Sequence, residues 1–245
     1  MSSLVVIPTY NEASNIGVLI PRIFKWIPTC SILIVDDGSP DGTSDIVREL
    51  QCNFPELHLL TRNQKSGLGS AYRAGFAWGL GENFERFIEM DADMSHRVRD
   101  LAKMLATSND ENPGLIIGSR WMSGGATSNW SKSRELLSRT ANKYVQLMLG
   151  IRVKDSTSGF RIYSRSLLER IDLDSIKSEG YSFQIEMTRA ALKAGAEILE
   201  VPIVFRERVD GVSKMSKAIV REAIWRVTIW GFQRALRING GGGGI

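Results

Sequence analysis

The chain lacks most of what would make a thiol centre, a membrane span or a nucleotide P-loop. Only two of its 245 residues are cysteine and two are histidine. Cys30 and Cys52 form no CxxC pair, so a thiolate zinc site is excluded and a reducing compartment is expected. There is no uninterrupted apolar run of roughly 18 residues, so no membrane-spanning helix is expected. The opening MSSLVVIPTYNE has no basic stretch, and its apolar run is too short for a signal peptide. GxxxxGK[ST] is absent. Gly67, Gly69 and Gly75 do cluster, but Tyr72 takes the third glycine position of GxGxxG, which argues against a dehydrogenase. No basic stripe with interleaved aromatics marks a nucleic-acid surface. Asn129, Trp130 and Ser131 match the glycosylation acceptor pattern, which without a secretory signal is read as coincidence.

What remains is ordinary globular material. With 43% hydrophobic and 24% charged residues, the chain is long enough for one large domain or two small ones, and neither a linker nor an internal repeat divides it. A net charge of +4 and a pI near 9.1 suit an anionic substrate, an anionic membrane surface or nucleic acid without choosing among them. Short β-branched or apolar runs at 3–8, 31–35, 57–60 and 86–90 alternate with helical patterns at 15–26, 43–51 and from the KSGLGSAYRAG segment to about residue 80. Thr43 or Ser44 is expected to cap the second helix. Strands alternating with helices predict a mainly parallel sheet covered on both faces, with ligands at the C-terminal strand ends, where all four polar clusters of this half fall. The second half reads as strands at 114–118, 160–163 and 198–205 with helices at 131–149 and 183–194. A last helix, 217–238, has Val220, Ile224, Trp225, Val227, Ile229, Phe232 and Leu236 on a wide apolar arc and Glu222, Arg226, Gln233 and Arg237 opposite.

The segment FIEMDADMSH carries the chemistry. An apolar strand delivers Asp91 and Asp93 at its C-terminal end, and if the strand persists, residues two apart face the same way and present their oxygens together. Such an open oxygen site favours Mg²⁺ or Mn²⁺. The glycines of KSGLG are expected to let backbone approach a nucleoside base or ribose.

Nine blocks in order, VIPTYNE, VDDGSPDGT, KSGLGSAYRAG, MDADMSH, GSRW, NWSKSRELLSRTAN, DSTSGFRIY, GYSFQIEM and RVDGVSKM, closely resemble the dolichol- or polyprenol-phosphate mannosyltransferases, which are family 2 glycosyltransferases. The resemblance runs to Met215. It implies an α/β GT-A fold, a Rossmann-like mainly parallel sheet flanked by helices, as a catalytic domain over 1–216. An amphipathic, membrane-interfacial helix follows at 217–239 and a flexible glycine-rich tail at 240–245.

The implied reaction is transfer of mannose from GDP-mannose to a polyprenol phosphate, giving polyprenyl-phosphate mannose and GDP. It proceeds by metal-dependent inverting displacement with the lipid phosphate as nucleophile. Pro8, Tyr10, Glu12, Val35 and Asp37 match the guanosine-binding positions; acidic groups suit guanine because its N1–H and amine are donors. Asp91 and Asp93, with Ala92 offering backbone, hold Mg²⁺ or Mn²⁺ on the donor diphosphate. Ser95 stands where some relatives have Gln, and its hydroxyl is a shorter and weaker ligand that water can replace. Arg120, Arg134 and Ser138 match positions that grip the acceptor phosphate, and Arg208 and Lys214 positions on a loop closing over the donor, with Arg120 also on the donor side. Planar arginines make bidentate phosphate contacts and a lysine adds a point charge. Asp155, Gln184 and Glu186 are expected to shape the sugar or acceptor pocket rather than act as a base, and Arg139 and Arg161 are read as solvated surface arginines. The chain is expected at the cytoplasmic face of a membrane as a peripheral protein, held through Trp225 and Trp230 and flanking arginines, with a membrane-protein partner or fused domain as a further anchor and no nucleic-acid partner. A UDP-glucose-dependent polyprenyl-phosphate glucosyltransferase or other GT-A sugar transferase, and more remotely a non-catalytic sugar-nucleotide-binding protein, stand as alternatives.

Overall fold

The computed structural model describes residues 2–207 and 217–240. Its strands are β1 (Ser3–Thr9), β2 (Cys30–Asp36), β3 (Leu57–Thr61), β4 (Arg86–Glu89), β5 (Leu115–Ser119), β6 (Ala126–Ser128), β7 (Arg161–Ser164), β8 (Ile198–Pro202) and β9 (Val204–Arg206). Its helices are α1 (Ala13–Trp26), α2 (Thr43–Gln51), α3 (Leu68–Leu80), α4 (Val98–Glu111), α5 (Lys132–Leu149), α6 (Arg165–Leu168), α7 (Gly180–Lys193) and α8 (Lys217–Gly240). Seven strands form one sheet in the order β3-β2-β1-β4-β7-β5-β8, parallel except for β7, and β6 pairs with β9 in a small second sheet.

The alternation of strand faces divides the core in two. Val5, Ile7, Ile32, Ile34 and Ile88 point to the face covered by α1, α2 and α4, while Leu4, Val6, Leu33, Val35 and Phe87 point to the face covered by α3 and α7. Helix α3 lies close on its strands because Gly75 and Gly79 face them. A Cβ at Gly75 would stand 2.5 Å from Val6, and one at Gly79 2.5 Å from Leu4.

Strand order turns this sheet into a site. The chain runs outward from β1 through β2 to β3, then returns to add β4 on the other side of β1, so a crevice opens at the C-terminal ends of β1, β2 and β4. Because β7 runs antiparallel, its beginning lies at the same edge and brings residues 155–160 there.

Several details differ from the sequence reading. The run 198–205 is two strands: the chain leaves β5 after Pro202, Ile203 N–H donates to Ser119 O (3.1 Å), and β9 then pairs with β6. Helix α4, whose Ser, Thr, Asn and Asp residues weaken its helical signal, was not expected. Neither Thr43 nor Ser44 caps α2. Gly42 is its N-cap, and Asp41 accepts from Thr43 N–H (3.1 Å) and Oγ (2.6 Å). The apolar arc of α8 is divided: Val227 and Trp230 pack against Val145, Leu149 and Ile185, whereas Ile224, Trp225, Phe232 and Leu236 are exposed. Trp230 is therefore a core residue under the Arg189 guanidinium (4.4 Å), not a surface anchor. Among the described residues no helix is long and apolar enough to cross a membrane.

Candidate active site

The loops after β1 and β2 are fixed by carboxylates. Asp36 accepts from Thr9 Oγ1 (2.9 Å), Ser39 Oγ (2.5 Å), Ser39 N–H (3.0 Å) and Ser44 Oγ (2.9 Å), and is consumed in holding the turn. Its neighbour Asp37 instead meets Arg62 Nε at 2.8 Å and accepts from Ser66 N–H at 3.3 Å. Burial pushes the Asp37 carboxyl above the ordinary range and Arg62 only partly offsets this. Pro8 and Val35 are register partners in the β1–β2 pair. Val35 is fully buried against the α3 side, so it offers this edge only backbone. Tyr10 carries Lys65 over its ring at 4.3 Å, and Glu12 accepts from Asn15 Nδ2 (2.9 Å).

The paired aspartates do not continue a strand. β4 ends at Glu89, and Asp91 to His96 form a bend in which Met94 has φ +63°, a conformation that L side chains rarely adopt. The alternation argument therefore does not apply; hydrogen bonds shape the bend. Ser95 N–H donates to Asp93 Oδ1 (3.1 Å), and Asp91 N–H donates to His96 Nδ1 (3.1 Å). His96 is buried, stacked on Phe160 at 4.5 Å, and burial lowers its pKa to about 4, so the ring is neutral. With Nδ1 accepting, its proton sits on Nε2, 3.9 Å from Asp91 Oδ2.

Ser95 Oγ is buried without a hydrogen-bond partner. Two carboxylates and that hydroxyl on one bend suit a hard divalent cation that completes its shell with water and phosphate oxygens. Among the described residues no cluster of three His, Cys, Asp or Glu side chains provides an all-protein cage.

The acceptor-side residues are held differently. Arg120 is buried and makes a two-pronged pair with Asp155, Nε to Oδ2 and Nη2 to Oδ1 both at 2.7 Å, while its backbone N–H also reaches Oδ2 (3.0 Å). Burial would raise the Asp155 carboxyl, but Arg120 and its hydrogen bonds outweigh that and hold it below the usual range. Trp121, Trp130 and Phe205 stand 5.4 to 5.6 Å from the Arg120 guanidinium. Arg134 lies over the Trp130 ring at 4.1 Å and pairs with Glu207 at 2.6 Å. Both arginines and Ser138 border a cavity of about 370 Å³ between α5, α7 and α8 that Tyr144, Val145, Ile185 and Val227 also line.

The other expected residues divide between this region and the rest of the molecule. Asp155 is fully buried as the partner of Arg120, and Gln184 donates to buried Glu89 (2.8 Å). Glu186 accepts from Ser178 N–H and borders a different cavity, beside Arg189 and Arg234. Arg139 is a surface residue paired with Glu135. Arg161 is not: it is fully buried beside Glu89 in the β4–β7 register and donates to Ser158 O (2.7 Å), Ser156 O (2.8 Å) and Thr188 Oγ1 (3.0 Å). Arg208, Lys214 and residues 241–245 of the tail lie outside the described residues.

Sequence reasoning missed His96, Trp130, Glu179 and Glu207. The first two lie inside quoted motifs, but nothing local says that an imidazole turns back on Asp91 or an indole lies under Arg134. The KSGLG glycines do not clear space for a base. A Cβ on Gly67 (φ +97°) would collide with the Glu179 carboxylate, and one on Gly69 would stand 2.6 Å from Ser178 O.

Comparison with known proteins agrees with this architecture. The glycosyl transferase family 2 profile matches residues 4–172. The chain is 46% identical over 235 residues to a polyprenol monophosphomannose synthase from Mycolicibacterium smegmatis, covering 96% of this chain and 88% of that one. It is 44% identical over 231 residues to an undecaprenyl-phosphate mannosyltransferase from Micrococcus luteus, covering 94% of each. Among solved structures, a glucosyl-3-phosphoglycerate synthase from Mycobacterium tuberculosis with Mn²⁺, UDP and phosphoglyceric acid superposes with TM-score 0.71 at 18% identity, over 94% of this chain and 78% of that one. A mannosyltransferase from Pyrobaculum calidifontis with GDP-mannose and Mn²⁺ gives TM-score 0.61 at 20% identity, over 96% and 64%.

Proposed function

The chain belongs to glycosyl transferase family 2 and has the GT-A fold, and we propose that it transfers mannose from GDP-mannose to a polyprenol phosphate. The observation that carries this reading is the cavity in which Arg120 and Arg134 stand among apolar side chains of α5, α7 and α8. Two guanidiniums suit a phosphate, and the apolar walls suit the isoprenoid chain behind it. The names of the two relatives point the same way.

The donor's guanosine lies in the crevice of Pro8, Tyr10, Glu12, Val35 and Asp37, with Val35 contributing backbone. Asp91 and Asp93 hold Mg²⁺ or Mn²⁺, with Ser95 as a weak third ligand. When bound, that ion offsets the charge developing on the leaving diphosphate. Arg120 and Arg134 orient the acceptor so that a phosphate oxygen attacks the anomeric carbon as the bond to GDP breaks, GDP leaving with the electron pair and the anomeric configuration inverting. A phosphate oxygen is already a nucleophile, so orientation and fixed charge supply the catalysis without a protein base. Buried Asp155, engaged on three sides by Arg120, is suited to holding that arginine and not to taking a proton. Arg208 and Lys214 belong to this reading as further diphosphate contacts.

Exposed Leu137 of α5 and Ile224 of α8 line the cavity, and Trp225, Phe232 and Leu236 of α8 and Leu136 of α5 are exposed as well, apolar surface suited to a bilayer from which the acceptor enters. The cytoplasmic face is the side on which a nucleotide-sugar donor is expected.

The test is incubation with radiolabelled GDP-mannose or UDP-glucose, a polyprenyl phosphate, and Mg²⁺ or Mn²⁺, followed by organic extraction. Label should enter the lipid phase from GDP-mannose. Transfer from UDP-glucose alone would overturn the donor assignment.

A further inference from the structure

Helix α3 starts at the donor crevice without any capping side chain of its own, since its N-cap is Gly67. Its leading N–H groups are nevertheless taken. Glu179, more than a hundred residues later, accepts from Gly69 N–H at 2.7 Å and from Ser70 N–H at 3.1 Å, and its carboxylate stands 3.5 Å from Arg73 in the first turns of the helix. The fit is built from both sides. Gly67 and Gly69 have no Cβ where Glu179 and Ser178 lie, and any side chain at either would collide with them.

The segment that Glu179 ties down supplies one wall of the crevice. Within it, Arg62 and Ser66 N–H hold Asp37, Arg62 also donates to Ser70 Oγ (3.1 Å), and Lys65 lies over Tyr10. Ser70 is thus gripped on its backbone by Glu179 and on its side chain by the arginine that orients Asp37. On the other side of Glu179, Gly180 (φ +55°) turns the chain so that Tyr181 lines the acceptor cavity. A helix N-terminus is also a ready anion site, and a carboxylate already seated there keeps a diphosphate from that end.

We infer that Glu179 is a positioning residue for the donor nucleoside: it fixes residues 62–70 so that Asp37 and Tyr10 meet the base, and reserves the diphosphate for the bend at Asp91 and Asp93. This rests on the reading of the chain as a GDP-mannose-dependent transferase.

The test compares full-length wild type with Glu179→Ala and Glu179→Gln by calorimetric titration with GDP, steady-state kinetics in both substrates, and thermal melting. The alanine variant should raise the KM for donor and weaken GDP binding by about five- to tenfold, while kcat and the KM for acceptor stay within about twofold. The glutamine variant keeps one acceptor oxygen for Gly69 N–H and should recover most of the loss. A lowered melting temperature with unchanged GDP affinity and donor KM would make Glu179 a helix cap only and overturn the inference. So would an acceptor KM that rises as much as the donor's. Wild type that binds no GDP would overturn the functional reading and this inference together, whereas wild type that binds GDP beside an unaltered alanine variant overturns this inference alone.

Discussion

The two sides of the crevice are held by different physics. On the β1–β4 side, carboxylates collect hydrogen bonds from backbone N–H groups and short hydroxyls: Asp36 from Ser39 and Thr9, Asp41 from Ala13 and Thr43, Asp93 from Ser95. Each bond is local or crosses to an adjacent strand end. On the β5–α8 side, two arginines are held by one buried carboxylate, one half-exposed carboxylate and a group of aromatic rings. The first arrangement spreads its stability over many modest bonds, of about 1 kcal/mol each. The second concentrates it, so a single substitution reaches much further.

The largest effect should come from the first side without touching its fold. Asp93→Ala removes a carboxylate that accepts from Ser95 N–H on the bend after β4 and lies outside the packed core. Transfer should fall by at least roughly a thousandfold while the melting temperature moves by only a few degrees. Turnover within tenfold of wild type would reject Asp93 as a metal ligand. Asp155→Ala does the reverse. It strands the Arg120 guanidinium in the interior, and breaking a buried pair of this kind costs about 3 to 5 kcal/mol. Denaturant unfolding should register that loss, while any protein that stays folded should still bind GDP. Loss of GDP binding in step with stability would erase the distinction between the two sides.

This contrast also explains what could be read beforehand. The alternation of strands and helices, the crevice at the strand ends, and Asp91 and Asp93 follow from short-range pattern, and Asp37 from the motif resemblance, because the first side, Glu179 apart, is built from residues near their own strands. The second side is built from distant ones. Nothing near Arg134 announces Glu207, and nothing near Arg120 announces that Asp155 would bind it, since both pairings depend on β7 running antiparallel and on β9 turning to meet β6. Arg161 was misread for the same reason. An isolated arginine before an apolar dipeptide looks like a strand edge until β7 is seen to lie between β4 and β5, where the side chain is enclosed. The bend at Met94 was missed because a DxD after an apolar run carries no sign of where the strand stops.

On the first side two buried titrating groups oppose one another. Burial raises Glu89 from 4.5 to about 7 and lowers His96 from 6.5 to about 4. Between pH 4.5 and 7 folded Glu89 keeps a proton that the unfolded chain has lost, so its contribution makes stability fall as pH rises. Between pH 4 and 6.5 folded His96 lacks a proton that the unfolded chain has gained, so its contribution makes stability rise. Each amounts to about 3 kcal/mol, and in the metal-free wild type they should largely cancel. Glu89→Gln should expose the rising slope and His96→Gln the falling one, by denaturant unfolding from pH 4 to 7.5. Asp155, held below its ordinary 3.8, adds stability that is complete above that pH and lost only as pH falls further. Stability that falls as pH rises from 4 to 6.5 in Glu89→Gln would show that the sign assigned to His96 is wrong.

The smallest effect tests the half-exposed carboxylate. Arg134 is held by Glu207 on one edge and by the Trp130 face beneath it, and pairs exposed to this degree contribute at most about 1 kcal/mol. Arg134→Ala should raise the KM for polyprenyl phosphate about tenfold and leave GDP affinity unchanged. Glu207→Gln removes a competitor for the same guanidinium, while Trp130 still holds the arginine in place. The KM for acceptor should then fall two- to threefold, by roughly the energy of a surface pair, and rise less steeply with salt. If it rises instead, Glu207 aims Arg134 at the acceptor, and the second side is preorganised by its carboxylates as fully as the first.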